Sequence, residues 1–186
     1  MNNNEKRFLL KLSRKSIKNF LETGEKIVPK PEEIKYKVLR EKKACFVTLK
    51  QDNLLRGCVG HIESFQPLYK DVIDNSISAA FQDNRFEPLK SHELDKINIE
   101  ISVLSPPEKI SFSCKQDLLE QITVGIDGVV LKRGDSRAVY LPQVWSKFTN
   151  KEDFLDSLAE KAGLSKDAWK DKKMEFYKFS VIEFSD

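Results

Sequence analysis

Ile97, Ile99, Ile101 and Val103 alternate with Asn98, Glu100 and Ser102, and this period of two holds the middle of the chain to a strand with one apolar and one polar face. Such a strand needs neighbours for its edges and a layer over its apolar side. Residues 44–49 (Ala-Cys-Phe-Val-Thr-Leu) are rich in β-formers, Gln51-Asp52-Asn53 offers a turn, and residues 54–62 return as the second arm of a hairpin. Residues 128–133 and 137–141, joined by Gly134-Asp135-Ser136, read as a second hairpin, and 174–184 reads as a terminal strand.

The covering layer is legible in a different period. Phe8, Leu9, Leu12, Ser16, Ile17, Phe20 and Leu21 recur at helical spacing, with Gly24 where a C-terminal cap belongs, and Pro29 and Pro31 break structure beyond it. Residues 64–82 predict a second helix with Pro67 in its first turn and a stripe of Leu68, Val72, Ile73, Ser76, Ile77 and Ala80. Ser105-Pro106-Pro107 ends the central strand, residues 115–122 form a short helix, and Asn150 caps a helix over 151–162 that Gly163 closes. Helices and strands mix without a regular βαβ period, which predicts an α+β fold with a largely antiparallel sheet and flanking helices. No Gly/Ser-rich linker or internal repeat marks a boundary, so 1–186 reads as one domain.

Composition excludes several classes. Of 186 residues 40% are hydrophobic and 33% charged, and no apolar run approaches the roughly 18 residues of a membrane span. The start, Met1-Asn2-Asn3-Asn4-Glu5-Lys6-Arg7, lacks the apolar stretch of an export signal. Three cysteines, Cys45, Cys58 and Cys114, form no CxxC pair, so free thiols in a reducing cytoplasm are the simpler expectation. His61 and His92 with no clustered thiols give no metal-ligand spacing. Residues 1–45 hold 13 Lys+Arg against 6 Asp+Glu, a surplus of +7 in a chain whose net charge is +3, which leaves −4 on the rest. Such a region can meet a polyanion. Aromatic platforms and helix-turn-helix patterning are missing, so a solvated helix face is the better reading and nucleic acid the weaker one.

The stretch Leu55-Arg56-Gly57-Cys58-Val59-Gly60-His61 gathers a guanidinium, a thiol and an imidazole beside two glycines, Gly57 and Gly60, that keep the backbone approachable. On a regular strand Arg56 shares a face with Cys58, and a nearby cation activates a thiol. His61, three positions on, points to the other face unless Gly60 kinks the strand. Register decides the rest. A three-residue loop at 51–53 pairs Cys58 with Phe46 and separates it from Cys45, whereas a two-residue Asp52-Asn53 turn pairs it with Val47 and puts both thiols on one face. The plain alternative for Cys58 is a small buried hydrophobe.

Two further residues extend this candidate site. Arg85, turned toward Cys58 and oriented by Asp83, would add a second cation, against the alternative of a simple surface pair between the two. Glu100, on the polar face of the central strand, suits either a general base or a charge-assisted bond to an arginine such as Arg56. No Walker loop, dinucleotide fingerprint or Ser-His-Asp arrangement stands out, so no cofactor is implied.

Blocks spread along the chain resemble the AMMECR family, whose signature is Leu-Arg-Gly-Cys-Ile-Gly; here Leu55 to Gly60 matches it with Val59 for isoleucine. The order continues through Pro67-Leu68, Ala79-Ala80-Phe81, Asp83-Asn84-Arg85-Phe86-Glu87-Pro88 and Ile99 to Pro107. Gly125-Ile126-Asp127-Gly128, Leu141-Pro142-Gln143-Val144 and Lys161-Ala162-Gly163-Leu164 complete it. Asn84 departs from the family's usual proline. The resemblance covers roughly residues 5 to 184 and implies a larger α+β domain with a smaller lobe. It also implies kinship with the A component of a system containing a Memo-like protein and a radical S-adenosylmethionine protein. The family's own activity is not established. Two expectations follow: an enzyme or enzyme subunit in which Cys58 is the nucleophile, Arg56 and Arg85 hold an anionic small molecule and Glu100 positions them or moves a proton; or a non-catalytic module that binds a ligand or protein through the same residues.

Overall fold

The computed structural model describes residues 1–171 and 173–186. Its helices are α1 (Asn3–Thr23), α2 (Leu68–Phe81), α3 (Lys115–Gln121) and α4 (Lys151–Lys161), with short 3-10 turns between elements. Its strands are β1 (Cys45–Gln51), β2 (Leu54–Gly60), β3 (Ile97–Leu104), β4 (Glu108–Ile110), β5 (Gly128–Arg133), β6 (Ser136–Tyr140), β7 (Glu175–Phe179) and β8 (Val181–Ser185). They form two four-stranded sheets, ordered β2-β1-β3-β8 and β4-β7-β5-β6. The strand pairs β1–β2, β1–β3, β4–β7, β5–β6 and β5–β7 are all antiparallel, so the fold is α+β.

The chain divides into two compact units, residues 1–104 with 182–186, and residues 105–181. In the first, α1 and α2 lie on one face of the β2-β1-β3-β8 sheet, over a core that includes Leu9, Ile17, Val47, Leu49, Val72, Ile73, Ile99 and Ile101. α1 starts at a reciprocal cap: Asn2 Oδ1 accepts the Glu5 N–H and the Glu5 carboxylate accepts the Asn2 N–H. It ends at Gly24, which takes a left-handed φ of +73°. In the second unit α4 packs on its own core, where Phe154 stacks on Trp145 and meets Leu118, Leu131 and Phe176.

Two local expectations need correction, and one strand was not anticipated. The second helix begins at Leu68 rather than at 64, because Pro67 fixes an extended backbone at its N-cap. Residues 174–184 are two strands in different sheets. Alternation runs through both, and the break comes from Ser180, whose N–H donates to Ser105 Oγ and whose carbonyl accepts the Ser105 N–H. The short strand β4, directly after Pro106-Pro107, has too few residues to show a period.

Candidate functional site

The β1–β2 hairpin turns on Asp52 and Asn53, both left-handed with φ of 51° and 64°, the geometry that a two-residue turn demands. Gln51 therefore pairs with Leu54 and Lys50 with Leu55, but the register then shifts: Leu49 pairs with Gly57, and Arg56 is the extra residue of a β-bulge. The consequence is that Cys58 faces Thr48, neither Phe46 nor Val47. Cys45 and Cys58 then fall on opposite faces of the sheet. The bulge was hidden from sequence reasoning because turn chemistry fixes the register only up to the first irregularity.

The bulge also redirects Arg56. Its Nε and Nη2 donate to the two carboxylate oxygens of Glu93 at 2.8 and 3.1 Å, while its buried Nη1 has no partner. The Arg56 guanidinium holds the Glu93 carboxyl below its usual range. Arg56 therefore does not pair with Glu100. The glycines serve the packing: a side chain at Gly57 would strike the Ala79 carbonyl of α2, and one at Gly60 would strike the Phe46 ring. Close backbone approach is the reason for glycine at both.

Cys58 is half-buried on the sheet face away from the helices. β2 is an edge strand, so the outward N–H and C=O of Cys58 lack a strand to bond. Asp83 and Arg85 supply that partner. Asp83 Oδ2 accepts the Cys58 N–H at 2.9 Å and Arg85 Nη2 donates to the Cys58 carbonyl at 3.3 Å. The two side chains are themselves paired, with Arg85 Nε and Nη2 at 2.8 and 2.6 Å from the Asp83 oxygens. Arg85 does turn toward Cys58, and Asp83 does orient it. The Arg85 guanidinium beside it, helped by the Cys58 and Arg85 N–H groups, holds the Asp83 carboxyl down at about 2 against an ordinary 3.8.

Cys58 begins a row across three strands, because Thr48 of β1 pairs with Cys58 on one side and with Glu100 of β3 on the other. The Thr48 hydroxyl donates to Cys58 Sγ at 3.4 Å. Lys50, two residues along the same face, donates to Glu100 Oε2 at 2.8 Å. That bond leads the causes that raise the Lys50 pKa, and charge on Cys58 adds to it; charge on Cys58 adds likewise to the rise at Arg85, which Asp83 leads. Arg85 sits on the Cys58 carbonyl, and Lys50 lies on the same sheet face as the sulfur. Burial and the Glu100 carboxylate push the Glu183 carboxyl up. Thr48, Lys50 and Glu183 escaped sequence reasoning, although the alternation that flagged Glu100 places Thr48 and Lys50 on the polar face of β1.

His61 belongs to another cluster. Its Nδ1 lies 2.7 Å from Oδ1 of the buried Asp71 of α2, and its ring packs edge-on to Phe65. Asp71 Oδ2 also accepts the Cys45 N–H at 2.8 Å and an amide hydrogen of Asn75 at 3.1 Å, and Gln66 donates to Oδ1. Burial, then the Asp71 charge, pushes the Cys45 thiol well above its ordinary value. It is a protonated core thiol. Asp71 and Asn75, an i, i+4 polar pair inside the apolar stripe of α2, were the missed signal.

This geometry has relatives. The family model for AMMECR1 matches residues 10–184. The chain belongs to the AMMECR1 family. It is 37% identical to a protein of Methanothermobacter thermautotrophicus over 187 residues, covering 100% of this chain and 96% of that one. Protein MK0488 of Methanopyrus kandleri is 38% identical over 98% of this chain and 88% of its own. The crystal structure of the uncharacterized protein PH0010 from Pyrococcus horikoshii superposes with a TM-score of 0.92 at 35% identity, covering 100% of this chain and 93% of that one. Among the described residues no helix is long and apolar enough to cross a membrane, and no three His, Cys, Asp or Glu side chains cluster as metal ligands.

Proposed function

We propose that this AMMECR1-family protein is an enzyme, or a subunit of one, whose pocket around Cys58 and Arg85 takes an anionic substrate, with Cys58 as its candidate nucleophile. The observation that carries the reading is the half-buried Cys58 sulfur, hydrogen-bonded by Thr48 and within reach of Lys50 and Arg85. Cations so placed favour an approaching anion. Glu100 holds Lys50, and Asp83 holds Arg85, so the positive charges are positioned before a ligand arrives. Arg56 contributes its unpaired Nη1 only if the ligand reaches around the bulge.

A binding module is the second reading, favoured by the pairing of both arginines with carboxylates, which leaves less positive charge for a ligand. The family resemblance supports Memo-like and radical S-adenosylmethionine proteins as partners, and three unpaired thiols support a reducing, cytoplasmic setting. Competitive alkylation separates the two readings. With Cys58→Ser identifying the site, native Cys58 is expected to react, and to prefer iodoacetate over iodoacetamide several-fold relative to a free thiol. Lys50→Gln or Arg85→Gln should erase that preference. Silence until the protein is unfolded makes Cys58 structural and leaves the binding module.

A further inference from the structure

The basic N-terminal segment plays no part in the Cys58 site, and the fold gathers part of it into a groove. Residues of α1 and of the end of β8 line an open groove of about 510 Å³, within the roughly 300–1,000 Å³ of small-molecule sites. Lys6, Arg7, Lys11 and Arg14 line it over an apolar floor of Leu10 and Phe184. Arg14 is committed to structure: it donates to the carbonyls of Leu94 and Ile97 and pairs with Asp186. The other three have no carboxylate partner among the described residues. Lys18, Lys26, Lys43 and Lys50 of this unit each pair with an acid, whereas Lys6, Arg7 and Lys11 stand together around one groove. Arg7 and Lys11 are moreover one helical turn apart, a like-charge spacing that repels. Lys6 already lies over the Phe184 ring, 5.8 Å from its centre. This groove lies on the helix side of the sheet, opposite the face that carries Cys58.

We infer that the α1–β8 groove binds a phosphate-bearing small molecule with a planar apolar body, of the size of a nucleoside monophosphate. Arg7 and Lys11 hold the phosphate, and the planar body lies over Leu10 and displaces Lys6 from the Phe184 ring. The cations without a carboxylate partner supply the charge, and the volume and apolar floor of the groove suit a ligand of this size.

Calorimetric titration of the full chain with AMP, with inorganic phosphate alone and with a 20-nucleotide RNA tests this. AMP should bind at least tenfold more tightly than phosphate. Arg7→Glu with Lys11→Glu should weaken AMP at least tenfold while circular dichroism and thermal unfolding stay unchanged. The neutral pair Arg7→Gln with Lys11→Gln should weaken it less, and Phe184→Leu should weaken AMP but leave phosphate alone. AMP binding untouched by the charge reversals, AMP no tighter than phosphate, or RNA binding through Arg7 and Lys11 without AMP would each overturn the inference.

Discussion

Two cysteines on neighbouring strands of one sheet are gripped in the same way and set in opposite surroundings. At Cys45 and at Cys58 an aspartate from the α2 region accepts the cysteine's backbone N–H, Asp71 at 2.8 Å and Asp83 at 2.9 Å. What differs is the aspartate's other company. Asp71 is buried with Asn75, Gln66 and His61, and its negative charge with the surrounding core keeps the Cys45 thiol protonated. Asp83 is answered by Arg85, whose guanidinium reaches on to the Cys58 carbonyl, and Cys58 opens onto Thr48 and a lysine. The hydrogen bond to the N–H fixes the backbone in both places. Burial and the sign of the next charge are what separate the two surroundings.

The comparison breaks most sharply at Asp71. Asp71→Ala strands the buried Cys45 N–H and takes one acceptor from each of the Asn75 and Gln66 amides, which keep the Cys45 carbonyl and Asp74, and is expected to cost about 3 kcal/mol in urea unfolding. A loss below about 1 kcal/mol would mean that water replaces the carboxylate. Loosening of the core should also expose Cys45, fully buried in the intact protein, to alkylation.

Asp83 is the milder counterpart. Its carboxyl is depressed from 3.8 to about 2 in the fold, equivalent to about 2 kcal/mol before solvent screening at the half-exposed Arg85 reduces it. Because the folded value lies below the unfolded one, that stability is complete above about pH 4 and disappears as pH falls through about 2. Asp83→Asn should remove this acid-dependent component, so the difference in stability between wild type and variant narrows as pH falls from 5 to 2. An unchanged difference across that window would show that the Asp83–Arg85 pair does not grip the edge strand. The smallest effect is expected from Thr48→Val, about 0.5–1 kcal/mol or less, since a hydroxyl–sulfur contact is weak. Its use is diagnostic. The alkylation rate of Cys58 should change while Cys45 stays silent.

Much of the fold was legible because its elements carry strong local signals. The helical stripe closed by Gly24, the alternation of 97–103 and the Asn150 cap each reflect periods and caps that one segment specifies unaided. The single domain reading of 1–186 sits beside two compact units whose divisions fall beside Pro106-Pro107 and between Val181 and Ile182, neither of which carries linker composition. At the site, the sequence brought forward Cys58, Asp83, Arg85 and Glu100, and the structure places Asp83 and Arg85 on the Cys58 backbone, with Glu100 across Thr48 from it. It also paired Arg56 with the wrong neighbour and offered His61 to a site that it does not join.

The reason lies in what each kind of information can reach. Residue types, periods and turn chemistry determined that this chain forms an α+β protein with a thiol, a glycine pair and nearby charges on a hairpin. Only the tertiary structure decided which charge meets which thiol. One extra residue at Arg56 shifts the strand register and moves Cys58 from Val47 to Thr48, and with it every cross-strand contact of the sulfur. Aspartates distant in sequence then settle the chemistry, since electrostatics depends on distance and burial that no local pattern encodes.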